Sequence, residues 1–153
     1  MEYPEESARE ELKRADHLLF VTLKYTRTAD VIKNTIKRLI NAFDLQILKN
    51  LEYAKKKRKI KEISLLPRVR CENLIKIMPD HKTKDFINFY FLLRKIEKLD
   101  HTAKNEFRKH VTLISMENNQ PIMEVTTDIL KDYFNKTAEF IDHMENLMKW
   151  QDS

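Results

Sequence analysis

The segment VIKNTIKRLINAFDLQILKNLEYA (residues 31–54) carries an apolar side chain at every third or fourth position. That spacing places the apolar side chains on one face of an α-helix. Thr28 and Asp30, just before this face begins, are typical of a helix start, because Thr caps free backbone N–H groups and Asp favours the positive helix end. We therefore predict a long amphipathic helix whose apolar face is formed by Ile32, Ile36, Leu39, Phe43, Ile47, Leu51 and Ala54.

Helical patterns continue on both sides of this segment. Ser7 and Glu10 have the spacing of a capping box, which predicts a first helix from Ser7 to the interruption at residues 26–28. Residues 80–99 contain the run DFINFYFLL, which leaves almost no polar face. A helix of that kind is surrounded by others, so we predict that this helix is the most buried of the fold.

Shorter elements are predicted between and after these helices. Pro67 opens a short helix to about Ile77, and residues 102–107 form another short helical stretch. Residues 111–116 and 121–125 have the composition of two strands joined by a polar turn, which predicts a β-hairpin. A last helix begins at residue 126 or 127 and ends near Trp150.

The chain has 153 residues, which is enough for one domain. We expect a single helical domain over residues 1–153, mainly α in class. Its architecture is predicted to be an elongated four- to five-helix bundle with one β-hairpin, at about 110–125, before the long C-terminal helix.

The sequence contains no glycine. Phosphate-binding loops of the Walker and dinucleotide-binding types need glycine so that the backbone can approach phosphate closely. The glycine–x–serine–x–glycine turn of many hydrolases is absent for the same reason. These enzyme classes are therefore excluded in their usual form.

The net charge of +5 is unevenly distributed along the chain. Residues 51–76 carry nine basic and three acidic side chains, whereas residues 111–153 carry three basic and eight acidic ones. This asymmetry favours a surface that faces a polyanion, or a basic face that meets an acidic face of another chain. Ordinary solvated faces are the alternative.

Cysteine and hydropathy indicate the compartment. Cys71 is the only cysteine, so an intrachain disulfide is impossible, and we predict a structural cysteine in a reducing compartment. The acidic residues 1–6 lack the apolar core of a signal peptide. No apolar run approaches the ~18 residues that a membrane-spanning helix needs. We therefore expect a cytoplasmic protein that does not contact membranes.

Metal binding and carboxylate catalysis have little support in the sequence. The five histidines are never three or four residues apart, and Glu139 with His143 is a single pair where a carboxylate bundle site needs repeated units. The acidic residues of the last helix are mostly off its apolar stripe. We expect no metal and no cofactor.

A dense basic run follows the long helix, with six cations in the seven residues 55–61. Such a run gives salt-sensitive, sequence-independent contact with nucleic-acid phosphates. A solvated helix end is the alternative interpretation. The candidate nucleic-acid-binding residues are Lys55, Lys56, Lys57, Arg58, Lys59, Lys61, Arg68 and Arg70.

The stretch LLRKIEKLDH (residues 92–101) places six residues between Arg94 and His101, after an aromatic helix. This resembles the arginine–x(4–6)–histidine signature of the HEPN superfamily of small helical proteins that often dimerise. The resemblance covers about residues 7–107. It implies Arg94 and His101 as catalytic residues of metal-independent RNA cleavage at a dimer interface. Active members typically have a small polar residue after the arginine, where this chain has Lys95.

Three functional hypotheses follow. The first is a non-catalytic helical interaction module that self-associates, as a homodimer, and binds RNA or another polyanion. The second is a HEPN-like, metal-independent ribonuclease that uses Arg94 and His101. The third is a protein-binding module that docks a basic partner through its acidic C-terminal helix. Lys95 places the non-catalytic module first.

Overall fold

The computed structural model describes residues 7–152, and side chains for residues 7–150, so the acidic segment at residues 1–6 lies outside the described residues. The predicted mainly helical fold is confirmed. The first helical segment has three parts: α1 (Ala8–His17), a π-helical turn (Leu18–Thr22) and α2 (Leu23–Tyr25). The other elements are α3 (Ala29–Lys56), α4 (Pro67–Ile77), α5 (His81–Lys98), β1 (Asp100–Lys104), β2 (Thr112–Glu117), β3 (Gln120–Thr126) and α6 (Thr127–Asp152).

Helix α3 is the central element of the fold. It buries 14 of its 28 residues, whereas α5 buries seven of 18. The expectation that α5 is the most buried helix is therefore wrong, because α3 packs against α1, α4, α5 and α6 and against strands β1 and β2. The burial predicted for α5 is confirmed at Phe86, Phe89, Tyr90 and Leu93.

The ring of Phe43 joins α3 to the two helices beside it. It stacks on Phe140 of α6, with centroids 4.2 Å apart, and on Tyr90 of α5 at 5.5 Å. Phe89 of α5 packs on the same ring at 5.8 Å. Aromatic contacts at these distances contribute beyond the area they bury, so this cluster is the centre of the core.

Buried amides fix the position of α6 along α3. Asn50 donates from Nδ2 to the carbonyl of Met144, 3.1 Å away, and accepts from Gln46 Nε2 at 2.7 Å. Both amide side chains are buried. A buried amide without a partner costs free energy, so a shift of α6 that broke these bonds would be unfavourable.

The sheet has three antiparallel strands in the order β1–β2–β3. The predicted hairpin is confirmed as β2 and β3, but the helical stretch predicted at residues 102–107 is wrong. Leu99 ends α5 in an extended conformation, and β1 alternates between exposed and half-buried residues. Pairing with β2, which sets Thr102 opposite Ile114, overrides the local preference for helix.

Residues other than glycine take the left-handed backbone conformations. Asn118 and Asn119, with φ of 52° and 61°, form the turn between β2 and β3. Asparagine tolerates this region because its short polar side chain can bond locally. Arg58, Asn105 and Phe107 also have positive φ, and these three lie at the two cationic surfaces described below.

Truncating Phe43 should lower the free energy of unfolding by about 3–5 kcal/mol, because Phe43→Ala removes buried area and leaves a cavity among three other rings. The matched control is Phe91→Ala on α5, where the side chain is 38% exposed and the loss should stay below about 1 kcal/mol. Urea unfolding of both variants measures the difference. Equal losses at the two positions would contradict the central place of Phe43.

Candidate polyanion-binding groove

The loop between β1 and β2 folds back onto the chain that precedes α3. Phe107 donates its backbone N–H to the carbonyl of Arg27, 2.6 Å away. Within the loop, Arg108 donates to the carbonyl of Asn105 and Val111 to that of Arg108, both at 3.1 Å. These bonds hold a cationic loop beside the first helical segment.

A groove of about 490 Å³ lies between this loop, residues 18–25 and the N-terminus of α6. Its floor is apolar, because Leu19, Leu23 and Val111 line it and are buried. Most of the other lining residues are polar or charged. The full set of these other lining residues is Phe20, Lys24, Arg27, Lys104, Asn105, Lys109, His110, Thr112, Thr126, Thr127, Asp128 and Lys131.

The groove is strongly positive. Among the residues that the structure describes, Asp128 is the only carboxylate that lines it. Lys104 forms an exposed ion pair with Glu124, 3.2 Å apart, and such pairs hold their charges together weakly. A cleft lined by one sign of charge over a low-dielectric floor concentrates the field and attracts polyanions. The cations are Lys24, Arg27, Lys104, Lys109 and Lys131.

The N-terminus of α6 opens into the same groove. Thr126 caps this helix, since its Oγ1 accepts from the backbone N–H of Ile129 at 3.1 Å. Thr127 and Asp128 follow in the first turn and also line the groove. The partial positive charge of a helix start favours an anion, although the Asp128 carboxylate offsets part of it.

The basic run predicted as the binding site lies at the other end of α3. Arg58 closes that helix with φ of 61°, donating to the carbonyl of Lys55, while Lys59 donates to that of Ala54. The 28 residues of α3 separate this end from the groove by about 42 Å at ~1.5 Å per residue. All six cations of the run are exposed: Lys55, Lys56, Lys57, Arg58, Lys59 and Lys61.

Arg68 and Arg70, predicted to extend the run, differ in their surroundings. Arg68 is exposed in the first turn of α4. Arg70 is half-buried, and its Nε donates to the carbonyl of Ser64 at 2.5 Å. It also lines a small cavity of about 170 Å³ with Asp44. Arg68 therefore adds to the exposed cationic surface, while Arg70 is held by contacts inside the chain.

Arg94, a predicted catalytic residue, faces a half-buried carboxylate. Its guanidinium lies 5.6 Å from the centre of the Tyr90 ring, and the Tyr90 hydroxyl donates to Asp44. Burial raises the pKa of Asp44, although the bond from Tyr90 and the charges of Arg94 and Arg70 oppose that rise. The pKa of Tyr90 is raised, mainly by burial and secondly by its hydrogen bond to Asp44. Arg94 therefore lies over the Tyr90 ring and adds positive charge near the Asp44 carboxylate.

His101, the second predicted catalytic residue, lies in β1 and faces Asp30 instead. Its Nε2 is 3.6 Å from the Asp30 carboxylate, at the start of α3. Asp30 and Asp44 are about 14 residues apart on that helix, roughly 21 Å. Helix α5 ends between Arg94 and His101, but the two side chains face different carboxylates, so they are not brought together within one chain.

The acidic face of α6 is partly neutralised by the chain itself. Arg9 lies 2.8 Å from Asp142 and 3.3 Å from Glu145, and Lys49 lies 3.8 Å from Glu145. The depression of about 790 Å³ between α5 and α6 has mixed charge rather than a single sign. Its charged lining residues are Lys82, Asp85, Lys136, Glu139 and Asp142, and His143 also lines it.

Cys71 is buried, and burial raises the pKa of its thiol to about 12. The thiol is therefore protonated near neutral pH, as in a structural cysteine. Within residues 7–152, no three His, Cys, Asp or Glu side chains group closely enough to hold a metal ion. In that same range, no helix combines the length and apolar character needed to cross a membrane.

Sequence patterns did not identify the groove. Its cations come from separate places, from Lys24 to Lys131, and meet only through the fold. The single local signal is RKH at residues 108–110, which is shorter than the run at residues 55–61. A search for dense basic runs therefore selects the wrong end of α3 if the groove is the binding surface.

Comparisons with protein-family models, curated proteins and solved structures found no match. The resemblance to the HEPN superfamily stays a prediction that rests on Arg94 and His101.

We expect no RNA cleavage that depends on His101, because Arg94 lies over the Tyr90 ring near Asp44 whereas His101 faces Asp30. Labelled RNA is incubated with wild type, with His101→Ala and with His110→Ala as a control histidine in the groove, each with and without chelator. Cleavage that survives chelation and is lost only in His101→Ala would establish the catalytic interpretation.

Proposed function

We propose that the protein is a non-catalytic helical module that binds RNA through its phosphate backbone, and that the groove holds the RNA. The observation that carries this proposal is the meeting of five cations from separate segments over one apolar floor. Contacts from Lys and Arg to phosphates supply most of the affinity of sequence-independent nucleic-acid binding.

The groove suits a phosphate chain better than the basic run does. Its cations come from the first helical segment, the β1–β2 loop and α6. An RNA strand that lies between these segments therefore meets positive charge on more than one side. The loop is already tied to Arg27 through Phe107, which reduces the ordering that binding requires. The run at residues 55–61 is an exposed helix end, where solvent and salt screen its charge.

The start of α6 adds hydrogen-bond donors to the groove. The first backbone N–H groups of a helix have no partner within the helix, and only part of this set is satisfied by the Thr126 cap. Phosphate oxygens accept such bonds readily. A phosphate near Thr127 would therefore meet backbone donors as well as the Lys131 ammonium.

Self-association as a homodimer is part of this proposal, and the molecular mass in solution tests it. The alternative of a protein partner docked on α6 has less support, because Arg9 and Lys49 already pair with acidic side chains of that helix. The ribonuclease alternative has less support as well, since Arg94 and His101 face separate carboxylates.

Neutralising the groove should weaken RNA binding far more than neutralising the helix end. The test variant is Lys24→Gln/Lys109→Gln/Lys131→Gln, and the matched control is Lys55→Gln/Lys56→Gln/Lys59→Gln, which removes the same charge. Three lost phosphate contacts should reduce the log–log salt slope by about 2, at ~0.7 per contact for single strands. Affinity at low salt should fall roughly tenfold or more.

Fluorescence anisotropy with a labelled oligouridylate measures both the affinity and the salt slope. The salt concentration runs from about 25 mM to about 200 mM, which spans physiological ionic strength. The control triple variant should keep the wild-type slope. If the control loses binding and the groove variant does not, the predicted basic run is the RNA site and the proposal for the groove is wrong. Absence of wild-type binding at low salt would also overturn it.

A further inference from the structure

Exposed aromatic rings gather at the groove. Among the side chains that the structure describes, five aromatic ones are exposed: Phe20, Tyr25, Phe91, Phe107 and Trp150. Phe20 lines the groove, Tyr25 directly follows the lining residue Lys24, and Phe107 lies in the loop between the lining residues Asn105 and Lys109. Three of the five therefore belong to the neighbourhood of one cationic surface.

Phe107 has an unfavourable backbone conformation that packing does not explain. Its φ is 64°, in the left-handed region where a bulky side chain is uncommon. The chain places asparagine at both positions of its other left-handed turn, residues 118 and 119. The Phe107 ring is 77% exposed, so it gains little from burial in return. Strain of this kind concentrates where a side chain has a binding role.

Phe20 is held in one orientation while half of it stays accessible. Its ring meets Phe134 edge to face, with centroids 5.8 Å apart and planes at 89°. It is 46% exposed and lies in the π-helical turn Leu18–Thr22. Such π-helical turns are rare in proteins overall, but they are often found at functional sites. A fixed, accessible ring can stack on a ligand with little loss of side-chain entropy.

From this arrangement we infer that the groove selects single-stranded RNA over duplex RNA, with Phe107 and Phe20 stacking on unpaired bases while the cations hold the phosphates. This inference rests on the proposed function. Stacking on aromatic side chains contributes to single-strand binding with little dependence on base identity. A duplex presents the same phosphates, but its base faces are covered by neighbouring base pairs, so the rings gain nothing from it.

The test compares a labelled single-stranded 12-mer with the same sequence as a duplex, using wild type, Phe107→Gly, Phe107→Trp and Phe91→Ala. Wild type should bind the single strand more tightly. Phe107→Gly should lose roughly fivefold or more in single-strand affinity and change duplex affinity less than about twofold. Its salt slope should stay at the wild-type value, because no phosphate contact is removed. Phe91→Ala should bind like wild type.

Thermal unfolding separates a binding role from a structural one. Glycine takes a positive φ without steric cost, so Phe107→Gly should not lower the melting temperature. Phe107→Trp retains an aromatic ring, and its added tryptophan fluorescence should be quenched by the single strand but not by the duplex. The wild-type protein, whose only tryptophan is Trp150, gives the background signal.

The possible outcomes distinguish the two proposals. If the groove lysine variant loses binding while Phe107→Gly binds both RNAs like wild type and the single strand does not quench Phe107→Trp, the stacking inference is wrong and the groove proposal stands. Equal wild-type affinity for single strand and duplex overturns the inference as well. If the groove lysine variant binds normally, both proposals fail.

Discussion

The stacking of Phe43 between α5 and α6 is the contact on which the rest of the structure depends. Phe43 lies near the middle of α3, and its ring packs on Phe140 at 4.2 Å and on Tyr90 at 5.5 Å. Helix α3 is about 42 Å long at ~1.5 Å per residue, so its two ends lie far apart. The groove forms beside the first end and the basic run follows the second. The length of one buried helix therefore separates the two cationic surfaces.

The absence of glycine has visible consequences at both ends of α3. Glycine usually occupies left-handed backbone positions. Here Arg58 takes such a conformation after the helix, and Asn105 and Phe107 take it beside the helix start. A side chain is thus present at positions where most chains have none. At Arg58 this adds a cation to the run, and at Phe107 it adds an exposed ring to the loop beside the groove. Composition therefore influences the surface through backbone geometry.

Much of the fold was predictable from the sequence, because helical periodicity and turn composition are local signals. The spacing of Ile32, Ile36 and Leu39 predicted α3, and the polar residues 117–120 predicted the hairpin of β2 and β3. Strand β1 was missed because its strand character comes from pairing with β2, a contact between distant segments. The groove was missed for the same reason, since Lys24, Lys109 and Lys131 become neighbours only through tertiary packing.

The central claim is that RNA binds in the groove and not at the end of α3. An NMR titration of the 18.5 kDa protein with oligouridylate tests it directly, because backbone amide shifts report contact along the whole chain. The account predicts shift changes at residues 24–27, 105–111 and 126–128, with residues 55–61 unchanged. Changes confined to residues 55–61 would contradict the account and assign RNA binding to the basic run.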